Sequence, residues 1–128
     1  MTSLKYLLIT MRPRQWTKNL IVFLALIFSI NLYWDPANLT ELTTLLLKTA
    51  AAFVLFCLIS SADYLINDIV DMESDRAHPV KRNRPLASNK LSRNHAVAAA
   101  ALLIVVGIVA ASVLSLGMGV VLSFYLVT

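Results

Sequence analysis

The residues best suited to chemistry lie in one polar stretch, "NDIVDMESDRAHPVKRNRPL", spanning 67–86. It carries Asp68, Asp71, Glu73 and Asp75, then Arg76, Lys81, Arg82 and Arg84, with Pro79 and Pro85 stiffening the backbone. With Asn67 as the origin of a helical wheel, Asp71, Asp75 and Asp68 fall at about 40°, 80° and 100°. Asp63 falls at about −40°, on the edge of the same face, while Glu73 points away at about 240°. Three carboxylates within two turns repel one another, and they sit at the C-terminal end of a helix, where the macrodipole disfavours anions. Something positive must offset them, either the basic residues downstream or a divalent cation. Hard oxygen ligands on a short helical face suit Mg²⁺, which keeps several waters and completes its shell with substrate phosphates. Asn67, Asp68, Asp71 and Asp75 are the side chains of that face that such a cation would meet. Arg76, Lys81 and Arg82 offer the donors and charge that phosphate oxygens require. Together the two groups would make a diphosphate site, and His78 between them could donate to phosphate. The competing reading is a solvated loop whose Asp and Arg residues pair locally. His95 reads as structural.

The elements that must position this stretch are apolar. The chain has 128 residues, of which 59% are hydrophobic and 14% charged, and its mean hydropathy is +0.75. A soluble domain is usually nearer half apolar and a quarter charged. The composition predicts an all-α membrane protein, a transmembrane helix bundle. The net charge is +4, but the basic clusters alternate with apolar runs, which argues against nucleic acid. Lys/Arg-rich loops on the cytoplasmic side explain them better. That rule places the N-terminus and the 67–95 loop in the cytoplasm and the 35–42 loop on the far side, in a multi-pass protein of the cell (inner or plasma) membrane. The start of the chain does not read as a signal peptide, and the lone Cys57 is expected to behave as a small apolar residue.

Leu4, Leu7, Leu8 and Met11 recur on one stripe, predicting an interfacial helix over 3–12. Spans are expected at about 16–34, 43–66 and 96–116. Trp16 and Trp34 would stand about 27 Å apart on a helix, near the hydrocarbon thickness, as interfacial tryptophans do. Asp35-Pro36 reads as a turn, with Asn38 or Thr40 as the next helix cap, and Lys48 as a snorkelling side chain. The third span is rich in small residues that permit close packing. "GMG" at 117–119 reads as a turn before a partial span at 120–128. Residues 1–128 are thus expected to form a single, incomplete transmembrane domain.

"NDIVDMESDR" followed by "RPLAS" resembles the first aspartate-rich motif of the UbiA superfamily of intramembrane prenyltransferases. "MRPRQWTKNLIVF" and "DRAHPVKRNRPLAS" resemble, within it, the decaprenyl-phosphate phosphoribosyltransferase branch. The resemblance implies the N-terminal portion of a nine-helix bundle with two aspartate-rich motifs. It assigns Mg²⁺-diphosphate binding and catalysis to Asp68, Asp71 and Asp75, with Asn67 as a further ligand. It assigns phosphate contacts to Arg76, Lys81 and Arg82. Arg14, Gln15, Lys18 and Asn19 match the N-terminal motif and are expected to contact the lipid phosphate or the ribosyl donor. The implied reaction moves a 5-phosphoribosyl group from 5-phosphoribosyl 1-diphosphate to a polyprenyl phosphate in the membrane, feeding cell-wall arabinan precursors. Two alternatives stand beside it. One is an aromatic-acceptor polyprenyltransferase of the same superfamily. The other is an inactive or split membrane fragment that needs a C-terminal partner half.

Overall fold

The computed structural model describes residues 2–127. In chain order these form α1 (Ser3–Thr10), a 3₁₀ helix (Pro13–Ile21), α2 (Val22–Phe28) and α3 (Leu39–Val70). Then follow α4 (Met72–Ala77), a 3₁₀ turn (Lys81–Asn83), α5 (Arg93–Leu114) and α6 (Leu116–Val127). No β-strand occurs among the described residues, so the architecture is all-α.

Two helices, α3 and α5, are long and apolar enough to cross a membrane, with peak hydropathies of 2.2 and 2.8. Only 22% and 17% of those windows are buried inside the protein. The core helix of a soluble protein would be mostly buried; here Val54, Leu102, Val105 and Val109 face outward. Such surface is stable against lipid, and the chain is a membrane protein.

Helix α3 starts where its cap allows. The Asn38 side chain accepts a hydrogen bond from the Glu41 amide at 3.2 Å, and the Asp35 carboxylate closes the preceding turn on Ala37 N at 2.9 Å. Helix α5 is capped by Ser92, which accepts from the His95 amide at 3.2 Å. His95 Nδ1 lies 2.8 Å from the same hydroxyl. Buried Ala96, Ala100, Gly107 and Ala111 form the face of α5 that meets α3 and α6. A Cβ on Gly107 would stand 2.7 Å from Ile59 Cδ1, so the absent side chain is what lets Ile59 pack here. Hydroxyls within the helices bond to their own backbone: Thr43, Thr44, Thr49, Ser61 and Ser123 each donate to the carbonyl four residues earlier.

The stretch expected as one span over 16–34 is not one α-helix. It runs as 3₁₀ through Ile21, α-helical through Phe28, and then turns. The side-chain anchors give the reason. Trp16 Nε1 donates to Ser61 Oγ at 3.0 Å and Asn19 Nδ2 to Ser60 Oγ at 3.2 Å. Residues i and i+3 eclipse in a 3₁₀ helix, which brings both side chains onto the edge facing α3. Trp34 is buried and donates to Ser29 Oγ at 2.8 Å, so neither indole nitrogen is left for an interfacial partner.

In α1 and at the residue that ends it, Tyr6, Leu7 and Met11 pack on the core, whereas Leu4 and Leu8 are exposed. The apolar surface of this helix is thus divided between the bundle and the outside. "GMG" lies within α6 rather than in a turn; the break comes earlier, at extended Ser115. Gly119 is buried against Ser112, a contact that turn placement would forgo. Of the expected partial span 120–128, Thr128 lies outside the described residues.

Candidate functional site

The polar stretch gathers at the end of α3 where it gives way to α4. Helix α3 stops at Val70, and Asp71 (φ −84°, ψ 1°) leaves the helical region before α4 resumes. The backbone bonds Asp71 N to Asn67 O (2.9 Å) and Asp75 N to Asp71 O (2.8 Å) carry across the joint. Helical spacing sorts the acidic side chains across the stripe. Asp68 and Asp75 turn inward and are only 3% and 2% exposed. Asn67 and Asp71 remain exposed.

The buried pair is held by two arginines from distant segments. Arg12 Nη2 lies 2.7 Å from Asp68 Oδ1. Arg84 Nη1 lies 3.2 Å from the same oxygen and 2.9 Å from Asp75 Oδ2. The Arg12 guanidinium also stacks over the Tyr64 ring, 4.9 Å from its centroid. Arg12 reaches this position from a left-handed backbone (φ 53°, ψ 61°) immediately before Pro13. Proline disfavours the right-handed region for its predecessor, and a non-glycine residue in the left-handed region costs roughly 1–2 kcal/mol. The charged contacts offset that cost. Two carboxylates facing two guanidiniums make the cluster neutral, as burial requires. A cleft of about 320 Å³ opens beside it, lined by Thr10, Arg12, Asp68, Asn83 and Arg84.

Other expected site residues take separate places. Asn67 Nδ2 lies 3.5 Å from Asp63 Oδ2 on the open side of α3. Arg76 braces the loop: its side chain donates to Glu73 Oε1 (2.7 Å), Asn89 Oδ1 (2.8 Å) and the Ala87 carbonyl (3.2 Å). Lys81 and Arg82 are exposed on the 3₁₀ turn above the cleft's rim residue Asn83. His78 Nδ1 accepts from the Val80 and Lys81 amides at 3.1 and 3.2 Å, which fixes the ring within its own loop. Arg14 and Gln15 line a second cleft with Arg12. Lys18 is exposed. Asn19 is buried against Ser60 and Cys57 as a joint between the first segment and α3, away from the acidic cluster.

Among the described residues, no three His, Cys, Asp or Glu side chains converge on a point where they could hold a metal. A cage built from protein alone is therefore absent there. Two carboxylate oxygens do meet, on Arg84 Nη1. Mg²⁺ commonly takes only one or two carboxylates and completes its shell with water and phosphate, so this donor set fits that ion.

Sequence reasoning passed over Arg12 as a partner of the acidic residues, while the pairing of Arg84 with Asp68 and Asp75 accords with the expectation that downstream bases offset the carboxylates. Arg84 was legible only as one more base in a basic loop. Arg12 lies 56 residues from Asp68, a distance over which helical periodicity carries no information.

Comparison with known proteins accords with this arrangement. Residues 21–128 match the UbiA prenyltransferase family. The chain is 39% identical over 117 residues to the decaprenyl-phosphate phosphoribosyltransferase of Mycolicibacterium smegmatis, covering 90% of this chain and 35% of that protein. It is 36% identical over 115 residues to the protein of the same name from Mycobacterium tuberculosis, covering 90% and 37%. With that from Corynebacterium glutamicum it shares 40% over 98 residues, covering 77% and 28%. The chain thus spans 28–37% of the length of these curated relatives.

Proposed function

The chain belongs to the UbiA prenyltransferase family, and from that premise we propose that it builds the diphosphate-binding end of a Mg²⁺-dependent phosphoribosyltransferase. The donor is 5-phosphoribosyl 1-diphosphate and the acceptor a polyprenyl phosphate lying in the membrane. One observation carries this reading: Asp68 and Asp75 are buried together at the end of a membrane helix, among arginines and beside an open cleft. The names of the relatives support the choice of donor and acceptor.

Asp68 and Asp75, with Asn67 and Asp71 at the rim, would hold Mg²⁺, which supplies charge for the departing diphosphate. Arg84, Lys81 and Arg82 would neutralise the same group from the loop side, where their donors need no reorganisation as charge develops. The C1–O bond to diphosphate breaks as an oxygen of the lipid phosphate bonds to C1. That phosphate is already anionic near pH 7 (its second pKa is about 6), so attack needs no strong general base. A site at the membrane boundary lets an apolar acceptor meet a water-soluble donor. All the lysines and arginines but Lys48 lie before α2 or between α3 and the first turn of α5, so the positive-inside rule puts this end in the cytoplasm.

The test uses the full-length protein in lipid nanodiscs. Labelled 5-phosphoribosyl 1-diphosphate and a labelled prenyl diphosphate are each offered with Mg²⁺ and with EDTA. Mg²⁺-dependent transfer of the ribosyl label to lipid phosphate is expected. Transfer of the prenyl label to an aromatic acceptor would replace this reading with an aromatic prenyltransferase. No transfer of either label would point to an inactive protein.

A further inference from the structure

Arg84 Nη1 stands between two carboxylate oxygens, 3.2 Å from Asp68 Oδ1 and 2.9 Å from Asp75 Oδ2. A Mg²⁺ held by both carboxylates would take these same oxygens at about 2.0–2.1 Å, so metal and guanidinium would compete for them. Arg12 holds the same Asp68 oxygen from another segment at 2.7 Å. A bare Mg²⁺ entering the pair must displace Arg84 and leave two guanidiniums without an anion beside a new divalent charge. Their side chains are only 33% and 28% exposed, so water compensates that repulsion poorly. Bare diphosphate meets the opposite difficulty: it could engage the arginines only by stranding two buried carboxylates. A metal that arrives with diphosphate resolves both, because the phosphate oxygens take the guanidiniums that the metal displaces.

From this geometry we infer that Arg12 and Arg84 are specificity-determining residues that admit the metal–diphosphate complex and exclude each component alone. The inference rests on the proposed diphosphate site and adds a coupling between its ligands: each raises the affinity for the other, and reciprocally. The arginines thus have opposite effects on the two ligands. They weaken binding of free metal and strengthen binding of the complex.

Isothermal titration of the full-length protein in nanodiscs tests this, with MgCl₂ alone, sodium diphosphate alone, and the two together. The wild type is expected to bind the mixture and to bind either salt alone on the order of tenfold more weakly or worse. Arg84→Gln should tighten free Mg²⁺ binding on the order of tenfold while weakening the mixture by a similar factor. Arg12→Gln, which relieves one carboxylate rather than two, should show the same signs with smaller changes and serves if the first variant does not fold. Arg84→Lys, which keeps the charge, should retain the wild-type ordering. If the wild type binds the mixture but neither glutamine variant binds free Mg²⁺ more tightly, the coupling is wrong and the diphosphate site stands. If the wild type binds neither metal nor mixture, the proposed function falls and the coupling with it.

Discussion

At one end of the α3–α5 pair, Asp68 and Asp75 are held by arginines drawn from the N-terminal segment and from the loop before α5. At the other, Leu55, Ile59, Ala111 and Leu122 pack side by side, with Phe56 meeting Tyr125 edge to face at 5.6 Å. The polar end joins charged side chains through a few directional contacts. The apolar end joins neighbouring helices through contacts that depend on small residues being absent of bulk. Lipid is as apolar as leucine, so hydrophobic burial drives helices together only weakly inside a membrane, and close contact must serve instead. Near the surface, buried charge pairs can organise the fold, but each is costly if broken. The two ends should therefore fail in different ways.

The largest expected effect is at the polar end. Asp68→Asn leaves Arg12 without an anion and Arg84 with one partner instead of two. A loss of about 3–5 kcal/mol is expected, read as a lower melting temperature of the full-length protein in detergent, with loss of Mg²⁺-diphosphate binding. A melting temperature unchanged from wild type would show that the charge pairs do not organise this end. The next effect lies at the apolar end. Gly107→Val places a branched side chain against fully buried Ile59 and should cost about 1–3 kcal/mol by the same melt. Metal–diphosphate titration of the folded variant should match wild type; a shift in that titration would mean the two ends are not independent. The smallest effect is at the far terminus of α3. Asn38→Ala removes the cap on Glu41 N and should cost about 1 kcal/mol in the same melt. A neutral result there would leave α3 held by packing alone.

The same division explains what could be read in advance. The long apolar helices, the Asn38 cap and the small-residue face of α5 are local in sequence, and composition and spacing report local features. The acidic stripe was visible as a pattern, and the wheel already sets Asp68 and Asp75 at one edge of it and Asn67 and Asp71 at the other. Which edge turns inward depends on what packs against α3, and spacing within the stretch does not report that. Arg76 illustrates the complementary difficulty. Its charge and position suit phosphate, yet three hydrogen bonds tie it to its own loop, and only the folded loop supplies those acceptors. In the segment after Pro13, apolar composition suggested one regular helix. The 3₁₀ path follows from Ser60 and Ser61 on a neighbouring element, which the segment's own residues cannot reveal.

The hydroxyls of Thr43, Thr44, Thr49 and Ser123 point their protons at carbonyls one turn back. Each proton is thereby spent within its own helix, and a lipid tail or a neighbouring helix beside it meets little more polarity than an alanine or valine would show. Hydropathy counts these side chains as water-loving wherever they occur, so it understates how oily the outside of this protein is.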